Sequence, residues 1–506
     1  MQPPLPASSD ISALLQHALS LHQRGDLQQA GLAYRQVLQL QPQQFDALHL
    51  SGVIARQSGD AQAAVELISQ AIAIDDRQAV AHCNLGAALQ DLAQAAAALA
   101  SYERAIAIKP DYAMAHHNRG NALRILGRLD EALRSYDEAL QILPAYPEAY
   151  YHRALSLQMS GLHEQALEDC ACALQLRPSY AQALCASGVS LQSLQHYEEA
   201  IHSYEGALRI NPDYAEAWCN RGTALHKLHE YEAALDSFEL ALQIRPDYAN
   251  AHHYRGNALR ALDRPQQAIG AYQQALAHGA DASQLNYLLA ALGVGDTPAV
   301  APASYVKELF DQYAGHFDQH LQGVLQYQVP RLLAEAIDRH RAKGELDTLD
   351  AGCGTGLCAP FLRPYSHRLT GVDLSEKMLD KAAQTALYDE LICAELSQFL
   401  ALQPDCFDLI AAADVLVYIG DLQAVFEGAR LALRRGGLLA FSVEQGAAHE
   451  SAEFSLQASH RYAHSARYIK RLASRNGFAV TGMQAAIARQ DKGENISIWL
   501  VVLTAI

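Results

Sequence analysis

The chain has 506 residues, which is more than one ordinary hydrophobic core organises, so its length predicts two or more domains. Half of the residues are hydrophobic and 18% are charged, a balance typical of globular proteins. The formal net charge is −17, and so acidic a chain repels a phosphate backbone, which argues against a nucleic-acid substrate.

The sequence carries no signal for a membrane span, for secretion or for a metal centre. Apolar runs stay below the roughly 18 residues that a membrane helix needs. The N-terminal MQPPLPASSD has neither a basic segment nor an apolar core of a signal peptide. The nine cysteines form no C-x-x-C pair. We therefore expect a cytoplasmic protein with no membrane association, no metal and buried free thiols.

A 34-residue repeat begins at residue 11 and runs through eight units to about residue 280. Proline recurs near the end of most units, with Asp76 in the one gap: Pro42, Pro110, Pro144, Pro178, Pro212, Pro246. The eighth position is small in every unit: Ala18, Gly52, Gly86, Gly120, Ala154, Gly188, Gly222, Gly256. The twentieth is always alanine, and the twenty-fourth is an aromatic ring in six units: Tyr34, Tyr102, Tyr136, Tyr204, Phe238, Tyr272.

This pattern has a steric explanation. Small residues let two helices cross closely, the ring fills the space between neighbouring helix pairs, and proline ends the second helix. One pair cannot bury its apolar face alone, so the units must stack. The pattern resembles the tetratricopeptide repeat (TPR) family. The resemblance implies an all-α solenoid of about eight helix-turn-helix units over residues 11–280, after an N-terminal tail at residues 1–10.

Asparagines recur on the first helix of the predicted units. They stand at the sixth position (Asn84, Asn118, Asn220) and at the ninth (Asn121, Asn257). An asparagine side chain both donates and accepts hydrogen bonds, so a row of them can hold a peptide backbone. The row resembles the asparagine ladder of the O-linked N-acetylglucosamine transferase family and predicts a protein or peptide partner on the concave surface. The alternative is that the asparagines bond only within the solenoid.

Glycines and prolines cluster after the repeats, and they predict a capping helix and linker at residues 281–303. From Leu346, short apolar runs alternate with helical segments, which indicates a parallel α/β sheet. LDTLDAGCGTGL is typical of a strand, a glycine turn and a helix. Its G-x-G-x-G spacing after an acid, Asp350, differs from the G-x-G-x-x-G of dinucleotide sites. Asp373 ends the next predicted strand, where an acid can accept from ribose hydroxyls.

Together these features resemble class I methyltransferases, whose cofactor is S-adenosylmethionine (SAM). The resemblance implies a Rossmann-like seven-stranded sheet over residues 304–506, with Asp350 near the methionine ammonium and Asp373 on the ribose. It also implies that an early helix, FDQYAGHFDQHL, covers the cofactor, although packing alone could explain its aromatic residues. The cofactor contacts expected on this basis are Asp350, Ala351, Gly352, Gly354, Gly356, Asp373, Leu374, Met378, Ala394, Glu395, Asp414 and Tyr313.

The methyl acceptor is expected at the carboxyl ends of the fourth and fifth strands. Asp414, Tyr418 and His464 are the candidate catalytic residues there, because a base can remove a proton from the acceptor. The alternative for the segment that carries His464, SLQASHRYAHSARYIKRLASRNGF, is a surface helix with no catalytic role.

The combination of domains resembles bacterial predicted methyltransferases that contain TPR repeats. We therefore expect a SAM-dependent methyltransferase whose repeats recruit a protein or peptide. One alternative is a small-molecule methyltransferase whose repeats only assemble a complex, and another is a SAM-binding scaffold without turnover. A dehydrogenase is disfavoured by the glycine spacing, and the resemblance names no methyl acceptor.

Overall fold

The computed structural model describes residues 8–315, 317–319, 321, 325–341, 344–446, 452–491 and 494–506. They form two compact units, Met1–Tyr254 and Arg255–Ile506. The division falls inside the first helix of the eighth repeat, so the second helix of that repeat groups with the α/β sheet. The boundaries expected at residues 280 and 303 stay predictions. So does the N-terminal tail at 1–10, of which residues 1–7 lie outside the described residues.

Eight helix pairs follow one another, one for each predicted repeat. The sixteen helices in this part of the described chain are α1 (Ser8–Gln23), α2 (Leu27–Leu40), α3 (Phe45–Gln57), α4 (Ala61–Ile74), α5 (Ala79–Asp91), α6 (Ala95–Ile108), α7 (Ala113–Ile125), α8 (Leu129–Ile142), α9 (Pro147–Met159), α10 (His163–Leu176), α11 (Ala181–Ser193), α12 (Tyr197–Ile210), α13 (Ala215–Lys227), α14 (Tyr231–Ile244), α15 (Ala249–Ala261) and α16 (Pro265–Ala277). The all-α repeat array is confirmed.

In five of the eight units the helix pair closes around a glycine and an aromatic ring: Gly86 and Tyr102, Gly120 and Tyr136, Gly188 and Tyr204, Gly222 and Phe238, Gly256 and Tyr272. The Tyr204 ring lies over Gly188 so closely that an added Cβ would stand 2.5 Å from its Cε1 atom, and Tyr136 lies over Gly120 at 2.6 Å. Ring and glycine belong to the same unit, whereas the sequence analysis placed the ring between neighbouring units. The ring side chain leans from the second helix back onto the first, because only the missing side chain of glycine leaves room for it.

The second unit continues with α17 (Ala282–Ala291), α18 (Ala303–Tyr313), α19 (Phe317–Gln319) and α20 (Val329–Asp338). The α/β part then comprises β1 (Leu346–Ala351), α21 (Ala359–Leu362), β2 (Ser366–Asp373), α22 (Glu376–Gln384), β3 (Glu390–Cys393), α23 (Leu396–Ala401), β4 (Phe407–Ala412), α24 (Gln423–Ala432), β5 (Leu433–Gln445), β6 (Phe454–Leu456), β7 (Tyr462–His464), α25 (Ala466–Arg475), β8 (Phe478–Asp491) and β9 (Glu494–Ala505). Short 3-10 turns lie at Arg363–Tyr365 and Leu416–Tyr418.

These strands form one sheet. Strands β3, β2, β1, β4 and β5 are parallel in that order, and β9 joins β5 antiparallel and pairs with β8. The α/β fold is confirmed, and its final two strands, β8 and β9, are antiparallel to each other. The described strands number nine because a hairpin, β6–β7, adds to the expected seven and extends the end of β5.

Buried apolar residues cover both faces of the sheet. One cluster packs α24 and α25 against β4 and β5 through residues such as Phe426 and Phe441, and another packs α20 and α21 on the opposite face. Parallel strands covered on both faces place their carboxyl ends together at one edge. Within the described residues, no helix combines the length and apolar character required to cross a bilayer.

Candidate functional site

The glycine loop, residues 350–356, is fastened to the end of β2. Its three glycines all have positive φ, at 68°, 54° and 91° for Gly352, Gly354 and Gly356. Gly352 N–H donates to Val372 O at 2.7 Å, so the loop turns back against β2. A Cβ on Gly352 would lie 2.4 Å from Val415 Cγ2. Glycine is therefore required there both by the backbone angles and by the close approach of the next strand end.

Asp373 connects this loop with the following helix. Its Oδ2 atom accepts from Gly354 N–H and its Oδ1 atom from Ser375 N–H, both at 2.9 Å. Each carboxylate oxygen has a further lone pair, so this carboxylate retains capacity for two hydroxyl donors. Burial raises the pKa of Asp373, while the backbone donors oppose that shift.

Asp350 lies beneath the loop and is almost completely buried. Tyr388 donates its hydroxyl proton to Asp350 Oδ2 at 2.6 Å, and the same ring lies against Gly356 and Gly371. Burial raises the pKa of Asp350 to about 7. A carboxyl group in this state gains from a nearby cation, since a positive charge stabilises its ionised form. The sequence analysis did not identify Tyr388.

The other expected cofactor contacts lie around this edge of the sheet. Ala351 ends β1, and Leu374 and Met378 follow β2, with Met378 fully buried. Ala394 packs beside the core, and Glu395 caps α23 by accepting from Ser397 N–H and Gln398 N–H at 3.0 and 2.8 Å. The Glu395 carboxylate thus has a helix-capping role of its own. All five residues lie at the edge of the sheet that carries the glycine loop.

Helices α18 and α19 cover the glycine loop. Ser375 Oγ donates to Asp311 Oδ1, and Thr355 Oγ1 donates to Asp318 Oδ1, both at 2.5 Å. The ring of Phe317 approaches Gly354 and lies edge-on to Tyr313, with ring centres 5.8 Å apart. Two hydroxyl–carboxylate bonds thus attach this cover to the loop at Thr355 and to the end of β2 at Ser375.

A charge cluster of four residues lies where the methyl acceptor is expected: Asp414, Glu444, Arg461 and Arg489. Arg461 contacts Asp414 Oδ2 at 2.5 Å and Glu444 Oε1 at 3.2 Å, while Arg489 contacts the same two oxygens at 3.4 and 3.1 Å. All four side chains are at least 87% buried. The sequence analysis identified only Asp414, because the other three come from β5, β8 and the β6–β7 turn.

Asp414 follows β4 in a left-handed backbone conformation, with φ at 62°. Its Oδ1 atom is buried and, among the described residues, has no hydrogen-bond partner. Strained conformations of non-glycine residues concentrate at functional sites. The arrangement presents one carboxylate oxygen that lacks a donor.

Tyr418 and His464 differ in their surroundings. Tyr418 lies beneath the Arg461 guanidinium, 5.4 Å from the ring centre, and burial raises its pKa. His464 is completely buried, with Nε2 at 3.0 Å from the carbonyls of both Ile419 and Gly420. Burial lowers the pKa of His464 to about 4. This environment favours a neutral imidazole that donates a hydrogen bond to the backbone of residues 419–420. It is less suited to a proton acceptor that contacts a substrate.

The predicted asparagine row divides into two groups. Asn121 and Asn257 accept from the hydroxyls of Tyr136 and Tyr272 at 2.8 Å, inside their own units. The sixth-position asparagines instead contact the preceding unit: Asn84 lies 2.9 Å from His49, Asn118 donates to Cys83 Sγ, and Asn220 donates to Cys185 Sγ. Bonds to sulfur are weak, and the sixth-position side chains are half-buried.

Comparison with protein families matches residues 349–441 to the methyltransferase domain. Tetratricopeptide repeat families match residues 15–79, 94–124, 120–161, 188–229 and 215–248. The chain carries tetratricopeptide repeats followed by a methyltransferase domain. Within the described residues, no group of three or more His, Cys, Asp or Glu side chains is arranged to hold a metal ion.

Curated relatives of the methyltransferase domain include two ubiquinone biosynthesis O-methyltransferases. The Chromobacterium violaceum protein is 27% identical over 120 residues, 23% of this chain and 52% of that protein. The Idiomarina loihiensis protein is 32% identical over 98 residues, 19% of this chain and 40% of that protein. The chain spans about half or less of these relatives, and the matches support a methyltransferase.

Solved structures of repeat proteins are also similar to this chain. The Cut9–Hcn1 hetero-tetramer of the APC/C has a TM-score of 0.42, 20% identity, and coverage of 53% of this chain and 52% of that chain. YrrB, a TPR protein with an unusual peptide-binding site, has a TM-score of 0.32, 23% identity, and coverage of 37% and 97%.

Proposed function

We propose that the protein is a class I methyltransferase that uses SAM. The observation that carries this proposal is the joint placement of the glycine loop and Asp373 at the ends of adjacent parallel strands. The three loop glycines, all with positive φ, allow a ligand to approach the backbone closely. Asp350 fits the ammonium of SAM and would repel the pyrophosphate of a dinucleotide, while Asp373 fits a ribose.

The residues of the chain position the methyl acceptor and shield it from water. When bound, the sulfonium supplies the methyl group. Asp414 Oδ1 would accept a hydrogen bond from the O–H or N–H of the methyl acceptor, which points the acceptor lone pair toward the cofactor edge, and would take that proton as the methyl group is transferred. Tyr418 and Arg461 cover this position and limit the access of water. Asp414, Tyr418 and the charge cluster are thus the proposed acceptor-side residues, and His464 supports the backbone beside them.

Calorimetric titration with SAM and with NAD tests the cofactor. SAM should bind to the wild type and NAD should not. Asp373→Ala should weaken SAM binding by about tenfold to a hundredfold, because two ribose hydroxyls lose a charged acceptor. Asp408→Ala is the matched control, since Asp408 opens β4 at the opposite end of the sheet and pairs with Arg434. NAD binding, or no SAM binding by the folded wild type, would reject the proposal.

The repeats are proposed to recruit a protein or peptide through the sixth-position asparagines Asn84, Asn118 and Asn220. Their weak or single contacts to neighbouring units can be exchanged for a peptide backbone, whereas Asn121 and Asn257 stay inside the units. Incubation of the full chain with methyl-labelled SAM and cell extract should label protein, and Asn118→Ala with Asn220→Ala should reduce that labelling. Asn121→Ala is a control for loss of repeat stability.

A small-molecule acceptor is the second candidate, and the similarity to O-methyltransferases favours it. In that case the label should appear in the low-molecular-mass fraction, and the asparagine variants should not change the rate. The repeats would then only assemble a complex. A folded chain that binds SAM but labels neither fraction would instead support a SAM-binding scaffold.

A further inference from the structure

Two tyrosines from outside the sheet hold the turn between β6 and β7. Tyr287 on α17 donates its hydroxyl to His460 O at 2.6 Å, and the hydroxyl of Tyr305 on α18 lies 2.8 Å from His460 Nδ1. Tyr287 is completely buried and His460 is 3% exposed. His460 also has φ at 61°, a conformation that a non-glycine residue keeps only when its surroundings impose it. The position of His460 therefore depends on these two side chains.

The next residue, Arg461, belongs to the charge cluster. Its guanidinium contacts Asp414 and Glu444 and covers the Tyr418 ring. Burying four charges costs desolvation energy that their attraction barely offsets, so such a cluster contributes little to stability. Its value lies in geometry, since each guanidinium touches both carboxylates and limits the orientations that Asp414 can adopt. A displacement of the Arg461 guanidinium would thus also displace the Asp414 Oδ2 atom that it contacts.

The segment before α18 attaches to the same wall. Ala301 N–H donates to Tyr418 O at 2.9 Å, and the N–H groups of Gly420 and Asp421 donate to Ala299 O at 2.8 Å. The Tyr462 hydroxyl donates to Pro298 O at 2.8 Å. Residues 298–301, expected to be a plain linker, therefore form a short strand-like contact with the acceptor side.

From these contacts we infer that Tyr287 and Tyr305 are positioning residues for the methyl-acceptor side. Through His460 they set the place of Arg461, and Arg461 in turn orients Asp414 and covers Tyr418. This role rests on the proposed function, because it takes the charge cluster as the acceptor side. Helix α17, which follows the last repeat, then helps to form the methyl-acceptor side.

Hydrogen–deuterium exchange tests the chain of contacts in the full-length protein without a known acceptor. Tyr287→Phe and Tyr305→Phe each remove one hydroxyl and keep the ring. Tyr365→Phe is the matched control, because Tyr365 is equally buried but packs among residues of α21 on the other face of the sheet. Peptides covering 457–464 and 412–421 are compared, and SAM is titrated into the same samples.

Each test variant should speed exchange in residues 457–464 by about twofold to tenfold, the factor expected for one lost hydrogen bond. Exchange in 412–421 should rise as well, while SAM affinity and the Tyr365→Phe pattern stay at wild-type values. Unchanged exchange in 457–464 would overturn the role of the tyrosines.

Variants of Arg461 separate positioning from general loosening. Arg461→Met should speed exchange in 412–421 with 457–464 little changed, and Arg461→Lys should restore part of the protection, because lysine keeps the charge opposite Asp414. Equal exchange in 412–421 for Arg461→Met and the wild type would overturn the link to Asp414. None of these outcomes requires SAM to bind, so failure of the cofactor titration remains a separate result.

Discussion

At the scale of single residues, the two acids of the cofactor edge have different states. Asp373 receives two backbone donors, whereas Asp350 receives one phenolic donor in a nearly water-free place. Burial of a carboxyl group without a cation favours its protonated form. Ionisation of Asp350 therefore costs free energy until a cation binds next to it.

Asp350→Asn should make the stability of the protein less dependent on pH. Since the folded-state pKa of Asp350 is raised to about 7 from 3.8, the folded chain binds this proton more tightly than the unfolded chain. The resulting stability is present at low pH and is lost as the pH rises between those two values. Urea unfolding at several pH values should show the variant gaining roughly 4 kcal/mol on the wild type between pH ~4 and ~8.

That comparison has a clear contrary outcome. If the difference in unfolding free energy between variant and wild type stays constant across the pH range, Asp350 does not titrate in this window. SAM binding should weaken in the same variant, because the amide cannot supply a negative charge to the ammonium.

Gly352→Ala should abolish SAM binding and lower stability. The added Cβ meets Val415 at 2.4 Å, and the positive φ costs a further ~1–2 kcal/mol. Gly436→Ala is the control, since Gly436 also has positive φ but no atom within 4 Å of an added Cβ. Thermal unfolding and calorimetry should therefore separate a strained glycine from one that also holds the loop against its neighbour.

Sequence periodicity located some of these residues and not others. Asp350 and Asp373 end apolar runs, and the end of a strand can be read locally, so both were placed at the correct edge. Arg461 lies in a hairpin turn and Arg489 near the end of the long strand β8, and only tertiary packing brings them to Asp414. Tyr388 precedes β3 in a loop and carries no local signal of its contact with Asp350.

At the scale of elements, the repeats were predictable because small and large residues recur at fixed positions of the 34-residue unit. The spacing of glycine and ring fixed the helix pairs, but it could not show toward which helix the ring leans. The β6–β7 hairpin was not predicted, since its strands have three residues each and alternate too briefly. His460 and His464 are consequently buried at this hairpin, whereas the alternative from the sequence was a surface helix.

Gly188→Ala should destabilise the repeat array by about 1–3 kcal/mol, because the Cβ would stand 2.5 Å from a buried tyrosine ring. Gly206→Ala, in the second helix of the same pair, meets no atom closer than 3.5 Å. It should stabilise the helix by roughly 0.5–1 kcal/mol, as alanine is the better helix former. Urea unfolding followed by circular dichroism measures both, and equal effects would contradict the glycine–ring pairing.

At the scale of the whole molecule, the second compact unit includes more than the methyltransferase domain. Tyr287, Ala301, Val306 and Tyr462 form one buried cluster, so residues from α17 and from the segment before α18 complete the core around the β6–β7 hairpin. A domain boundary drawn at residue 303 from composition would cut through this cluster.

A fragment of residues 263–506 should therefore melt at a higher temperature than a fragment of residues 304–506. Losing a buried tyrosine ring costs about 3–5 kcal/mol, which corresponds to a drop of roughly 6–20 °C for a unit of this size. Both fragments keep the glycine loop, and the longer one should bind SAM as the full chain does. Identical melting temperatures would show that the cluster adds no stability.

The attachment at residues 298–301 has a consequence for how the protein can diversify. Units that precede α15 make none of the contacts described for Tyr287, Ala299 or Ala301. Duplication or loss of one 34-residue unit there would lengthen or shorten the array while leaving the wall beside Asp414 intact. The proposed recognition by the repeats and the proposed chemistry at the sheet edge can then change at different rates in evolution, provided that α17 keeps its contacts with the hairpin.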